Sequence, residues 1–256
     1  MAMRSAFAAL AVLALPAAAV AGTFDVKTPE IVKGQGEYSI NSTLFDGFRE
    51  NAERLRASSE LGIAYGLTSW WKVGLKASID APLDENPRLS SLGVEQQVLL
   101  KPLANGFGIG WYSSVDVSTV AGDPDSTTFG PILQFGTEKT SLTLNPFLQR
   151  TFGPDRERGM ALVYGWQAKH EIREGLAFGI EGYGVVPDVG RAPPIDQQEH
   201  RIGPVLYLER PLTASLDPAG RGGAEPPKFA IETGVLFGLT QGTQGTAIKL
   251  KAGVTF

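Results

Sequence analysis

From Glu37 to Phe256 the chain returns again and again to one pattern. About ten to thirteen residues alternate apolar with small or polar side chains, and a cluster of turn formers then interrupts. Successive side chains on a β-strand point to opposite faces, so each segment makes a strand with one apolar and one polar face. In the last segment, Ile248, Leu250, Ala252, Val254 and Phe256 share one parity, and Ala247, Lys249, Lys251, Gly253 and Thr255 the other. Trp71, Val73, Leu75, Ala77 and Ile79 oppose Lys72, Gly74, Lys76, Ser78 and Asp80 in the same way. No helical period is sustained in this region. The pattern predicts about twelve strands, starting near Glu37, Leu55, Trp70, Leu89, Phe107, Thr127, Ser141, Met160, Leu176, His200, Phe229 and Thr246.

A soluble sandwich would bury the apolar parity, whereas a membrane barrel turns it toward lipid. Segments of about eleven residues exceed the ~5–6 of an average globular strand and match the ~9–11 of a tilted membrane-crossing strand. The polar parity is rich in glycine and charge. Aromatic residues of the apolar parity (Tyr65, Trp71, Phe107, Phe135, Phe229 and Phe256) gather at one set of strand ends, as a lipid–water interface selects. The expected fold is all-β: a transmembrane antiparallel up-and-down β-barrel over residues 35–256. Short turns at 67–69, 102–106, 138–140 and 173–175 fall at one end. Longer loops at 46–54, 81–88, 121–126, 153–159 and 187–199 fall at the other. One connection breaks this rule, because 211–228 is long yet belongs by strand parity with the short turns.

Residues 1–4 are a short basic start, 6–15 are apolar, and Ala19-Val20-Ala21 fits a small-x-small cleavage site. This reads as a secretory signal peptide cut after Ala21, and it is too short for a membrane helix of ~20 residues. Residues 22–34 are expected to form a periplasmic amino-terminal segment, and the protein to reach the outer membrane. With 23 basic against 27 acidic residues, the chain lacks the basic surplus of a nucleic-acid binder. The absence of Cys excludes disulfides, thiolate metal sites and Cys nucleophiles. No cofactor is expected. The expected partners are membrane lipids, small solutes, and a barrel-assembly machinery that reads the final strand ending in Phe256.

Candidates for chemistry are few. His170 and His200 fall at opposite barrel ends, so they cannot serve one Ser-His site, and no catalytic residue is assigned. Asp84-Glu85 and Asp123-Pro124-Asp125 match no calcium-loop spacing. Gly106-Phe107-Gly108-Ile109-Gly110 lacks the strand–turn–helix context of a phosphate loop. The glycines are expected to make room in the lumen instead. Inward parity assigns Glu60, Glu95, Asp116, Glu181 and Glu232 to the lumen, together with Lys72, Lys76, Lys169, Lys249 and Lys251. A hairpin centred on Thr68 would set Glu60 opposite Lys76, and Glu232 would hold Lys251. Lys249 and Lys72 have no evident partner.

Several runs resemble the outer-membrane barrels grouped with the phenol-degradation meta-cleavage-pathway proteins, a family assigned as transporters. They are Thr28-Pro29-Glu30 with Lys33-Gly34, Ala64-Tyr65-Gly66-Leu67-Thr68, Ser141-Leu142-Thr143-Leu144-Asn145, Tyr164-Gly165-Trp166-Gln167-Ala168-Lys169 and His200-Arg201-Ile202-Gly203-Pro204-Val205-Leu206. The resemblance implies an outer-membrane barrel.

A bore of about twelve strands lies between the filled interior of ~8 strands and the aqueous channel of ~16. The expected function is a narrow passive channel for small polar or acidic solutes, with unpaired lysines favouring anions. The alternative is a structural or interaction barrel plugged by side chains or by the amino-terminal segment. An outer-membrane lipid-modifying enzyme comes third.

Overall fold

The computed structural model describes residues 23–46, 55–212, 227–243 and 245–256. The expected signal peptide lies outside the described residues. The strands are β1 (Gly36–Phe45), β2 (Leu55–Gly66), β3 (Trp71–Pro82), β4 (Arg88–Ala104), β5 (Phe107–Ser118) and β6 (Asp125–Gly136). They continue with β7 (Thr140–Phe152), β8 (Ala161–Arg173), β9 (Leu176–Val186), β10 (Glu199–Pro211), β11 (Lys228–Gly238) and β12 (Thr246–Thr255). Each pairs with its sequence neighbours and β1 closes on β12, giving a closed antiparallel barrel. All strand starts fall within two residues of the positions that the alternation predicts. At the seam, Gly36 and Phe256 exchange backbone hydrogen bonds of 2.8 and 3.0 Å, so no strand edge is left open there.

One boundary differs from expectation. The turn expected over 102–106 shrinks to Asn105-Gly106, with φ of 53° and 80°, and β4 extends to 17 residues. Positive φ at both positions is the two-residue hairpin turn whose twist matches that of the strands. The long 211–228 connection lies where parity put it. β10 and β11 pair as far as Pro211 and Lys228, so it leaves the barrel at the end that carries Gly36 and Phe256. Residues 213–226 are outside the described set.

The two faces separate as the alternation requires. Leu75, Val94, Val115, Leu206 and Leu250 stand exposed on the outside, part of an apolar belt that continues around the barrel. A patch of this size is abnormal on a protein in water and normal against hydrocarbon. Of the expected aromatics, Tyr65, Phe135 and Phe256 are exposed at the end that carries Gly36. There Phe107 pairs with Phe135 at 5.2 Å between ring centroids, and Phe256 stacks on Tyr38 at 5.1 Å.

The inside is less uniform than a polar parity suggests. Ile132, Val205, Leu236 and Ala247 point inward and are buried. They give the lumen apolar patches alongside its charges.

Candidate functional site

The lumen holds a segment that the sequence placed elsewhere. Residues 23–33, expected in the periplasm, run inside the barrel. They pass from the half farthest from Gly36 and Phe256 to the rim beside β2, where Gly34 donates to the Gly66 carbonyl at 2.8 Å. The physical reason is local alternation before the first strand. Phe24 and Val26 are apolar, whereas Asp25 and Lys27 are charged. Phe24 and Val26 pack with Tyr183, Leu236 and Ala247, and Phe24 lies 5.0 Å from the Tyr183 ring. The guanidinium of Arg201 sits 5.7 Å over the Phe24 ring, in cation–π range.

Polar side chains grip the segment's backbone. Asn145 accepts from the Lys27 amide at 2.6 Å and donates to its carbonyl at 2.9 Å. Gln97 donates to the Thr28 carbonyl at 2.5 Å, and Asn41 to the Phe24 carbonyl at 3.2 Å. Inward glycine makes room, as expected. A Cβ at Gly110 would approach Pro29 to 3.2 Å.

Asp25 and Lys27 complete the charge pattern. Asp25 accepts from Lys251 at 2.8 Å and pairs with Lys27 at 3.1 Å, and Lys27 reaches Glu95 at 3.2 Å. Burial alone would raise the Asp25 pKa, but Lys251, Lys27 and Lys249 outweigh it and hold the carboxyl well below its usual range. Burial likewise pushes the Lys27 ammonium down, while Glu95 and Asp25 raise it well above its usual value. Both groups stay charged at neutral pH.

All ten expected lumen residues point inward. On one wall Lys249 and Glu181 are completely buried and 2.7 Å apart. Glu181 also accepts from Tyr183 at 2.5 Å, Tyr207 at 2.8 Å and Gln167 at 3.0 Å. Glu232 lies 3.1 Å from Lys249 and 3.8 Å from Lys251. Lys169 rests over the Tyr207 ring at 4.9 Å.

On the opposite wall Lys76 pairs with Asp116 at 2.9 Å and with Glu60 at 3.7 Å, and Tyr112 donates to Glu95 at 3.0 Å. Lys72 pairs with Glu37 at 3.5 Å. Lys249 and Lys72, expected to lack partners, therefore both have them, and the basis for an anion preference is gone.

The register explains another difference. The β2–β3 hairpin sets Gly62 opposite Lys76 and Ser78 opposite Glu60, two residues from the expected register. Glu60 therefore meets Lys76 diagonally. Lys76 reaches Asp116 across β4 because the residue between them is Gly93. A Cβ there would lie 2.8 Å from the Lys76 chain and would also strike Asp116.

Two polar cavities remain beside the segment. One of about 240 Å³ lies toward the end that carries Gly36 and Phe256 and is lined by residues such as Glu37, Ser39, Lys72 and Glu95. The other, about 170 Å³, lies in the far half among Ser58, Ser78, Asp80, Asp116 and Asp123.

The histidines are apart, as expected. His170 bonds Thr140 at 2.7 Å at one rim, and His200 bonds Tyr164 at 2.6 Å at the other. Among the described residues no His, Asp and Glu cluster suits a metal ion. The segment's role was legible in the sequence only as the Phe24–Lys27 alternation. The tyrosines around Glu181 carried no signal beyond their inward parity.

No family model matches the chain, and no curated protein matches it. Its fold is shared with solved outer-membrane barrels. An outer-membrane channel from Pseudomonas putida F1 aligns over 91% of this chain and 99% of its own, at 10% identity and a TM-score of 0.64. The NanC porin aligns over 86% and 98%, at 10% identity and a TM-score of 0.53. Identities this low establish the fold alone.

Proposed function

We propose that this barrel lies in the outer membrane of a Gram-negative envelope and is a narrow passive channel for small polar solutes, with residues 23–33 as a constriction in its bore. One observation carries the reading. The segment does not fill the lumen but leaves polar cavities of about 240 and 170 Å³ beside it, lined by the charged and hydroxyl groups that water and polar solutes require. The lipids that the outer belt and aromatic girdle would meet, and an assembly machinery that reads the strand ending at Phe256, belong to the same reading. So does membership of the phenol-degradation meta-pathway barrels, on the runs quoted above.

Planar-bilayer recording and liposome swelling test it. Small, stepwise conductance and swelling by solutes no larger than a monosaccharide are expected. Neither conductance nor swelling would leave the plugged structural barrel, which the dry Lys249–Glu181 pair and the hydrogen bonds on Lys27 favour.

A further inference from the structure

One cavity runs along residues 25–28 of the amino-terminal segment and the other meets it at Thr23, yet two residues, Glu60 and Lys76, line both. The two cavities therefore share one stretch of wall, where β2 and β3 carry these side chains and β5 supplies Asp116 to the far cavity. Gly93 keeps the space between Lys76 and Asp116 open, so the three charges form one compact group. Their exposures of 12–19% leave them in contact with the cavities rather than sealed in protein. Two carboxylates face one ammonium. The far cavity adds Asp80 and Asp123, with Lys76 the one cationic side chain among the described residues of its lining. A low-dielectric wall concentrates the field of such a surplus.

We propose that Glu60, Lys76 and Asp116 form the selectivity gate of the bore, and that it passes small cationic solutes in preference to anionic ones. This rests on the passive-channel reading. The carboxylates draw cations into the far cavity, whose serine and threonine hydroxyls replace part of their hydration. Lys76 holds the carboxylates together and sets the width of the passage. It neutralises about one of the two carboxylates, so a net negative charge faces the passing solute.

The chain contains no cysteine, so single cysteines report cleanly on the two sides of the gate. Ser78→Cys lies in the far cavity and Ser39→Cys in the other. Full-length protein in vesicles is treated from the far side with a cationic or an anionic methanethiosulfonate, with rates normalised to a free thiol. Both positions should react, and at Ser39→Cys the cationic reagent should be faster by about tenfold, the lower end of electrostatic focusing.

Glu60→Gln with Asp116→Asn leaves Lys76 alone at the gate and should reverse that order. Lys76→Gln should strengthen it. If neither reagent reaches Ser39→Cys from the far side, both the gate and the passive-channel reading fall. If both reagents reach it at equal rates that the gate variants do not alter, only the gate falls.

Discussion

Two walls of the same lumen use the same chemistry to opposite ends. On the β9–β12 wall, Glu181 and Lys249 have no solvent exposure, and tyrosine hydroxyls saturate the carboxylate. On the β2–β5 wall, Glu60, Lys76 and Asp116 keep part of their surface open; Glu60 and Lys76 border both cavities and Asp116 the far one. A lysine–carboxylate pair therefore does not by itself decide whether a bore is sealed or wet. What decides it is whether aromatic and amide neighbours complete the shell, as Tyr183 and Tyr207 on the first wall and Gln167 on the adjoining β8 do for Glu181. That wall also carries the apolar patch on which Phe24 and Val26 seat. The segment starts from that patch and crosses the bore, where Lys27 and Thr28 are held by Glu95 and Gln97 on β4.

Breaking the dry wall should have the largest effect. Lys249→Ala strands the Glu181 carboxylate in protein and should cost ~3–5 kcal/mol, the usual penalty for orphaning a buried charge. Urea unfolding in detergent micelles measures it. Lys249→Met with Glu181→Gln should recover most of the loss, because no buried charge is then left without a partner.

The assignment of outside and inside faces is tested next. Leu75→Arg on the outer belt should cost ~2–4 kcal/mol near the membrane midplane, and Ser78→Arg on the same strand should cost less. Equal losses would mean that the barrel does not meet lipid where its belt lies.

The wet wall should tolerate more. Lys76→Met should cost less than Lys249→Ala, because Glu60 and Asp116 keep 19% and 15% of their side-chain surface open, while altering permeation. A loss as large as that of Lys249→Ala would erase the distinction between the walls.

The smallest effect concerns pH and the seating of the segment. Asp25 has a lower pKa seated than released, so its contribution is fully present above the ordinary carboxylate value of ~3.9. It is lost only as pH falls through the lowered value. Hydrogen exchange of residues 23–31, corrected for intrinsic rates, should therefore stay protected from neutral pH to about pH 4 and increase below it. Asp25→Asn should remove this pH response and loosen the segment at neutral pH.

Much of the fold was legible in the chain because a barrel is built from a local rule. Period-two alternation assigned Leu75 outward and Lys76 inward, placed every strand start, and put His170 and His200 at opposite rims. Hairpin order also identified Glu232 as a partner of Lys251, since the two face each other directly across β11 and β12. These conclusions need only neighbouring strands.

What the sequence could not determine is how inward side chains meet across the bore. Glu181 on β9 and Lys249 on β12 are separated by two intervening strands. They touch because closure curves the sheet until inward residues of non-neighbouring strands share one space. The same closure created the groove into which residues 23–33 fold back, turning an expected periplasmic segment into part of the lumen. Alternation fixes the face of a strand, but the angle around the barrel at which two charges meet is a property of the closed sheet. Only the tertiary structure could therefore decide which lysines were paired and which side of the bore stayed open.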